Sequence, residues 1–215
     1  MMYVLQVLTG RETEICGKLR RAGITKDLLV MSSALPWQLS AAVDADLTLT
    51  CGRAGFASEL QAAAEAAGKP AAIHIKVDTG LHRIGFAPEE LGGLLEELKN
   101  APSLRVTGTF SHFSDTSDAA LCAREYLLYE TALETLRAAG IEPGLRHVAC
   151  SAASEQYPEY CLDAVRVGRR LFMDAPTAPR GDIREVSTWR SFVTMVHARS
   201  AGERVGYGGA VALER

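Results

Sequence analysis

The 215 residues are short of several things at once. No stretch approaches the roughly 18 uninterrupted apolar residues of a membrane-spanning helix. Positions 1–8 lack the basic start and small-residue cleavage site of a signal peptide. Excess charge is missing too: 23 basic against 26 acidic side chains leave a formal net charge of −3. That excludes the clustered positive footprint of a nucleic-acid or anionic-membrane binder. The cysteines, Cys16, Cys51, Cys122, Cys150 and Cys161, are odd in number and show no Cys-x-x-Cys spacing. A disulfide framework and a structural zinc site are thereby set aside, and small buried thiols in a reducing cytoplasm are expected. No internal repeat, low-complexity segment or Gly-x-Gly-x-x-Gly turn occurs. Apolar residues are plentiful at 47%, which excludes intrinsic disorder and allows a sizeable core.

One pattern recurs: a short apolar run, a polar turn, then an amphipathic or alanine-rich stretch. The apolar runs are 3–8, 28–31, 47–50, 71–77, 104–110, 146–149 and 164–167; helices are expected over 12–22, 37–43, 54–67, 88–99 and 119–139. Three of these helices end in Ala-Gly (Gly23, Gly68, Gly140), where glycine suits the left-handed cap. Pro88 opens one helix and Asp118 is placed to cap another. Strands alternating with helices predict an α/β fold with a buried parallel sheet. Seven such units in sequence point to a TIM-type (β/α)8 barrel lacking one of its eight strands. Beyond Arg166 the character changes. Residues 173–183 read as a linker, residues 187–198 as a strand, and the end of the chain as the opening of a β domain.

In such a barrel, functional groups collect where strands end. Four segments deliver polar residues there: Lys76 to Phe86, with Arg83; Ser111-His112-Phe113-Ser114-Asp115; Cys150-Ser151; and Arg166-Val-Gly168-Arg169. Arg83 alone fits a surface ion pair, His112 a hydrogen-bonded structural histidine, and Ser151 an N-cap. Arg166 inside an apolar strand is harder to dismiss, because an unpaired buried guanidinium is costly. Together they form a cationic, hydroxyl-bearing rim suited to an anionic ligand, with phosphate at the helix start near Ser151. A triad of Ser111, His112 and Asp115 lacks a nucleophile elbow, and His112, Asp115 and Asp118 lack the rest of a metal site.

Lys76-Val-Asp-Thr-Gly-Leu-His-Arg-Ile-Gly-Phe86, Ser111-His112-Phe113, His147-Val-Ala-Cys-Ser151 and Arg166-Val-Gly168 resemble the alanine racemases in order and spacing. Gly202-Glu-Arg-Val-Gly-Tyr-Gly208 is similar to a turn in that family's second domain. The resemblance implies a fold-type III enzyme that interconverts L- and D-alanine with pyridoxal 5′-phosphate, for D-alanine and peptidoglycan synthesis. It implies a cofactor-binding barrel over 1–175, with its first strand missing, and a linker and opening strands of a β domain over 176–215. It implies that Arg166 meets the pyridine nitrogen, His147 supports Arg166, and His112 lies against the ring. Ser151, Gly168 and Arg169 would hold the phosphate. Arg83 would touch the phenolic oxygen and substrate, and Lys76 corresponds to a lysine that is carbamylated in many members.

Two departures accompany it. None of the five lysines (Lys18, Lys26, Lys69, Lys76, Lys99) lies in the family's Lys-Ala-x-Ala-Tyr-Gly segment, which supplies the Schiff-base lysine. Tyr207 belongs to the earlier turn and is not the family's tyrosine base. The expectation is a chain truncated at both ends, a weak cofactor binder or an inactive fragment, whose homodimer is weakened. A serine or other amino-acid racemase, or a non-catalytic cofactor-binding or docking protein, stands as the alternative.

Overall fold

The computed structural model describes residues 3–4, 12–168, 201–202, 204–205, 211–212 and 214. The expectations for residues 173–183 and 187–198, and the candidates Arg169 and Tyr207, lie outside the described residues. The chain divides into two compact units, Met1–Leu171 and Phe172–Arg215.

The first unit alternates strand and helix. Its strands are β1 (Tyr3–Val4), β2 (Leu28–Val30), β3 (Thr48–Cys51), β4 (Ala71–Lys76), β5 (Leu104–Phe110) and β6 (Leu145–His147). Each pairs in parallel with the next, so spatial order and chain order coincide. That sequential winding is the topology of a β/α barrel wall. Every residue of β2 and β3 is buried, as expected of strands covered on both faces. The run at 164–167 differs from expectation. It makes a single parallel bridge, Cys150 to Arg166, rather than a strand. Val165 and Val167 lie exposed while Arg166 between them is buried, so the apolar members of the run face solvent.

The helices are α1 (Glu12–Arg21), α2 (Leu39–Asp44), α3 (Phe56–Ala67), α4 (Leu91–Lys99), α5 (Ala119–Ala138) and α6 (Ser151–Gln156). α2 and α4 start two and three residues later than expected, because Pro36 and Pro88 open short 3₁₀ turns ahead of them. α3 buries Phe56, Ala57, Leu60 and Ala64, the period of a helix docked by one face. Gly68 closes it at φ 65°, and the Asp118 carboxylate accepts the Leu121 amide hydrogen to start α5. α5 buries Cys122, Glu125, Tyr129, Ala132, Leu133 and Leu136. A carboxylate inside that stripe needs partners, and it has them below. In the second unit, β7 (Arg204–Val205) and β8 (Val211–Ala212) pair antiparallel.

Candidate functional site

Register brings the chemistry together. Lys76, Phe110 and His147 end β4, β5 and β6, and they lie side by side in one lateral row. Two rows earlier, on the same face, His74 pairs with Gly108. The β4–β5 register shifts between Ile73 and His74, and such irregularities re-aim side chains. Phe110 stacks on His147 with centroids 4.8 Å apart and planes within 5°. The Arg166 guanidinium sits 5.4 Å from the same phenyl ring, and the Lys76 ammonium 5.7 Å.

Arg166 is the hub. It is 6% exposed, and its two terminal nitrogens spend four hydrogens on five acceptors. Nη1 donates to the carbonyl oxygen of His147 (2.6 Å) and to its Nδ1 (2.9 Å). Nη2 donates to the carbonyl oxygens of Ser111 (2.6 Å) and Val148 (2.9 Å) and to Nδ1 of His112 (3.1 Å). The carbonyls at these strand ends thus offset the desolvation of the cation. Burial lowers its pKa to about 10, so it remains charged at neutral pH. Its Nε is buried with no partner among the described residues.

The histidines around it stay neutral. Burial first, then the Arg166 charge, pushes His147 down to about 2 and His112 to about 4. Since a guanidinium only donates, both Nδ1 atoms accept, and the hydrogen of His112 resides on Nε2. Ser151 is the first residue of α6, and its hydroxyl accepts from the Gly168 amide (3.2 Å) rather than capping the helix. Arg83 is exposed on the loop after β4, and its charge reaches Lys76 and His112. Arg166, His147, His112 and Lys76 therefore meet around Phe110, Ser151 and Gly168 meet one another, and Arg83 acts from the rim.

Lys76 is buried and gives a hydrogen to the carbonyl of Val77. Burial lowers its pKa to about 8, aided by Arg166 and Arg83 and opposed by Asp78 and Glu125. Between about pH 8 and the unfolded value of 10.5, the unfolded chain holds this proton and the folded chain has released it. Stability contributed by Lys76 therefore rises with pH across that window. In carbon-dioxide-free buffer, Lys76→Met is expected to be more stable than the native chain at pH 7, with the gap closing by pH 10. Urea unfolding at the two pH values checks this; a constant gap contradicts it.

Two residues, Glu125 and His74, and one bond between loops escape a reading of the sequence. Glu125, from the buried stripe of α5, accepts the Ser114 amide (2.9 Å) and hydroxyl. It also abuts Gly80, where a Cβ would stand 2.5 Å from its Oε1. It thereby ties the loop after β4 to the loop after β5. Thr79 and Ser111 share a buried hydrogen bond of 2.8 Å between the same loops. His74 contacts His147 from two strands away. An acidic residue at a helical core position, and a histidine two places before Lys76 on the same strand face, are the signals that point to Glu125 and His74.

A family model described as Alanine racemase, N-terminal domain, matches residues 5–176. Curated alanine racemases are similar. That of Desulfovibrio desulfuricans is 35% identical over 195 residues, 88% of this chain and 53% of the relative. That of Methanococcus maripaludis is 30% identical over 210 residues, 94% of this chain and 56% of the relative. Among solved structures, alanine racemase from D-cycloserine-producing Streptomyces lavendulae aligns with TM-score 0.77 at 29% identity, covering 94% of this chain and 55% of that one. The Bacillus anthracis alanine racemase with bound L-Ala-P aligns with TM-score 0.74 at 26% identity, covering 94% and 54%. The chain spans about half the length of the curated relatives it matches. Among the described residues, no helix is long and apolar enough to cross a membrane.

Proposed function

This chain belongs to the alanine racemase family, and from that premise we propose that it forms the cofactor-cradling barrel of a pyridoxal 5′-phosphate enzyme that interconverts L- and D-alanine. The observation that carries the reading is the buried, unpartnered Nε of Arg166. Every other nitrogen of that guanidinium is spent on the protein, so one fixed donor remains for an acceptor such as a pyridine nitrogen.

The residues present fit the cofactor. Arg166 would give its Nε hydrogen to the ring nitrogen and, because it does not release that proton, leave the nitrogen unprotonated. A ring so held is a weaker electron sink, which favours return of a proton to the α-carbon over side reactions. His147 would brace Arg166. His112 would lie against the ring with its Nε2 hydrogen free to donate. The Ser151 hydroxyl and the backbone of Gly168 and Arg169 would take the phosphate. Arg83 would approach the phenolic oxygen and substrate from the rim. Pyridoxal phosphate, when bound, acidifies the α-proton of an amino acid joined to it. Lys76, lowered to about 8, would be the nucleophilic amine for carbamylation, which would turn a cation into an anion able to orient Arg83. The five cysteines form no disulfide among the described residues, which suits a cytoplasmic setting.

The two proton carriers of the family have no counterpart here. None of the five lysines stands in the family's Schiff-base segment, and Tyr207 is not its tyrosine base. The 215 residues are therefore expected to bind the cofactor without a covalent link and to lack turnover by themselves. Titration with pyridoxal phosphate followed by absorbance, then an L- to D-alanine assay, tests both parts. Saturable binding without turnover is expected. Absent binding overturns the cradle, and turnover above the free cofactor's rate overturns the reading of the bases.

A further inference from the structure

His74 is fully buried on β4, and none of the contacts assigned to the cofactor involves it. Its Nδ1 lies 2.9 Å from Nε2 of His147, and its own Nε2 is buried without a partner among the described residues. The hydrogen positions follow by elimination. Arg166 can only donate, so Nδ1 of His147 accepts. Neutral His147 then carries its hydrogen on Nε2 and donates it to Nδ1 of His74. His74 is left with its hydrogen on Nε2, the atom that has no acceptor. Reversing the chain would set a His147 hydrogen against the guanidinium. Burial holds His74 near 4 and His147 near 2, so both rings are neutral.

The packing serves this contact. The two rings belong to β4 and β6 and meet diagonally over β5, with centroids 5.1 Å apart. They meet because the intervening residue is Gly108: a Cβ there would stand 2.5 Å from Cε1 and Nε2 of His74. The stack on Phe110 fixes the plane of His147. A buried donor left unmatched is costly, and the arrangement tolerates one at the far end of the chain while meeting every need of Arg166 Nη1.

Resting on the assignment of Arg166 to the ring nitrogen, we propose that His74 is a positioning residue: it takes the Nε2 hydrogen of His147, which keeps Nδ1 of His147 bare to hold one arm of Arg166 and leaves Nε as the donor that faces the cofactor. Removing the acceptor forces a choice between two buried, unmatched donors. Either His147 keeps its Nε2 hydrogen unmet, or it moves the hydrogen to Nδ1 and repels Arg166.

His74→Leu and His74→Asn in the full 215-residue chain separate this role from space filling. The two side chains match closely in shape, and only Asn presents an acceptor where Nδ1 lies. Nitrogen-15 spectra without cofactor at pH 7 are expected to show the Nε2-H tautomer for His74 and His147 in the native chain. In His74→Leu, the His147 tautomer and the Arg166 Nε resonance shift, and pyridoxal phosphate binds about tenfold more weakly, the scale of one hydrogen bond. His74→Asn restores all three. An Nδ1-H tautomer of His147 in the native chain overturns the proposal, as does a His74→Leu chain with native spectra or native affinity. If the native chain takes up no pyridoxal phosphate, the cradle reading fails by itself, and the His147 and Arg166 resonances decide the inference. If His74→Leu does not fold, His74→Asn decides: a native His147 tautomer supports the role and a changed one overturns it.

Discussion

An Arg166→Glu chain is expected to retain no pyridoxal phosphate after desalting and to lose roughly 3–5 kcal/mol of stability, the scale for breaking a buried charge network. The cause is a reversal of every contact at the hub. Three carbonyl oxygens and two imidazole nitrogens that now accept from Arg166 would face a carboxylate, another acceptor. The carboxyl would have to take up a proton to remain inside. Lys76 supplies a second readout. The Arg166 charge helps hold its pKa down, so the substitution is expected to move Lys76 back toward the ordinary lysine range. Arg166→Lys keeps the charge and loses the planar fork, and should fold better while still binding the cofactor poorly. Cofactor retained by the Glu chain at native affinity would remove Arg166 from the cradle.

Gly108→Ala is the second large effect, and it needs no change of charge. The added methyl would lie 2.5 Å from two ring atoms of His74 and 2.7 Å from the carbonyl oxygen of Leu145. The ring could turn aside, but the carbonyl belongs to the paired strand and moves only if the β5–β6 ladder opens. Overpacking of this kind costs about 1–3 kcal/mol, and here it also parts His74 from His147. Gly92, inside α4 with open space where a Cβ would go, is the control. There the same substitution is expected to stabilise by roughly 0.5–1 kcal/mol, because it removes a flexible residue from a helix. Urea midpoints of opposite sign support the steric reading. Equal shifts would leave Gly108 without a special role.

Much of this architecture is legible in the residues themselves. Ala-Gly pairs mark where helices stop, Asp118 marks where α5 begins, and the buried runs at 28–31 and 47–50 appear as β2 and β3. These features are local, set by caps, propensity and burial over a few positions. The run at 164–167 misled because its apolar valines are the exposed members and its arginine the buried one, a choice made by distant carbonyls. The site divides along the same line. Arg166, His112, His147 and Ser151 are polar residues at strand ends and stand out at once. His74 does not, because its partner lies 73 residues away and their meeting depends on a missing side chain on the strand between. Glu125 hides within a helix stripe, where a carboxylate is informative only once the loops it ties are known.

The consecutive strand order also bears on how the molecule comes into being. Each strand finds its partner in the unit synthesised just before it, so the wall can lengthen in step with translation, one strand and helix at a time. The hub is different. Its guanidinium reaches back 55 residues to Ser111, and nothing earlier in the chain can stand in for it. A nascent chain halted before Arg166 would hold most of the sheet, with three strand-end carbonyls waiting for hydrogens. The guanidinium that satisfies them thus leaves the ribosome only after the six described parallel strands.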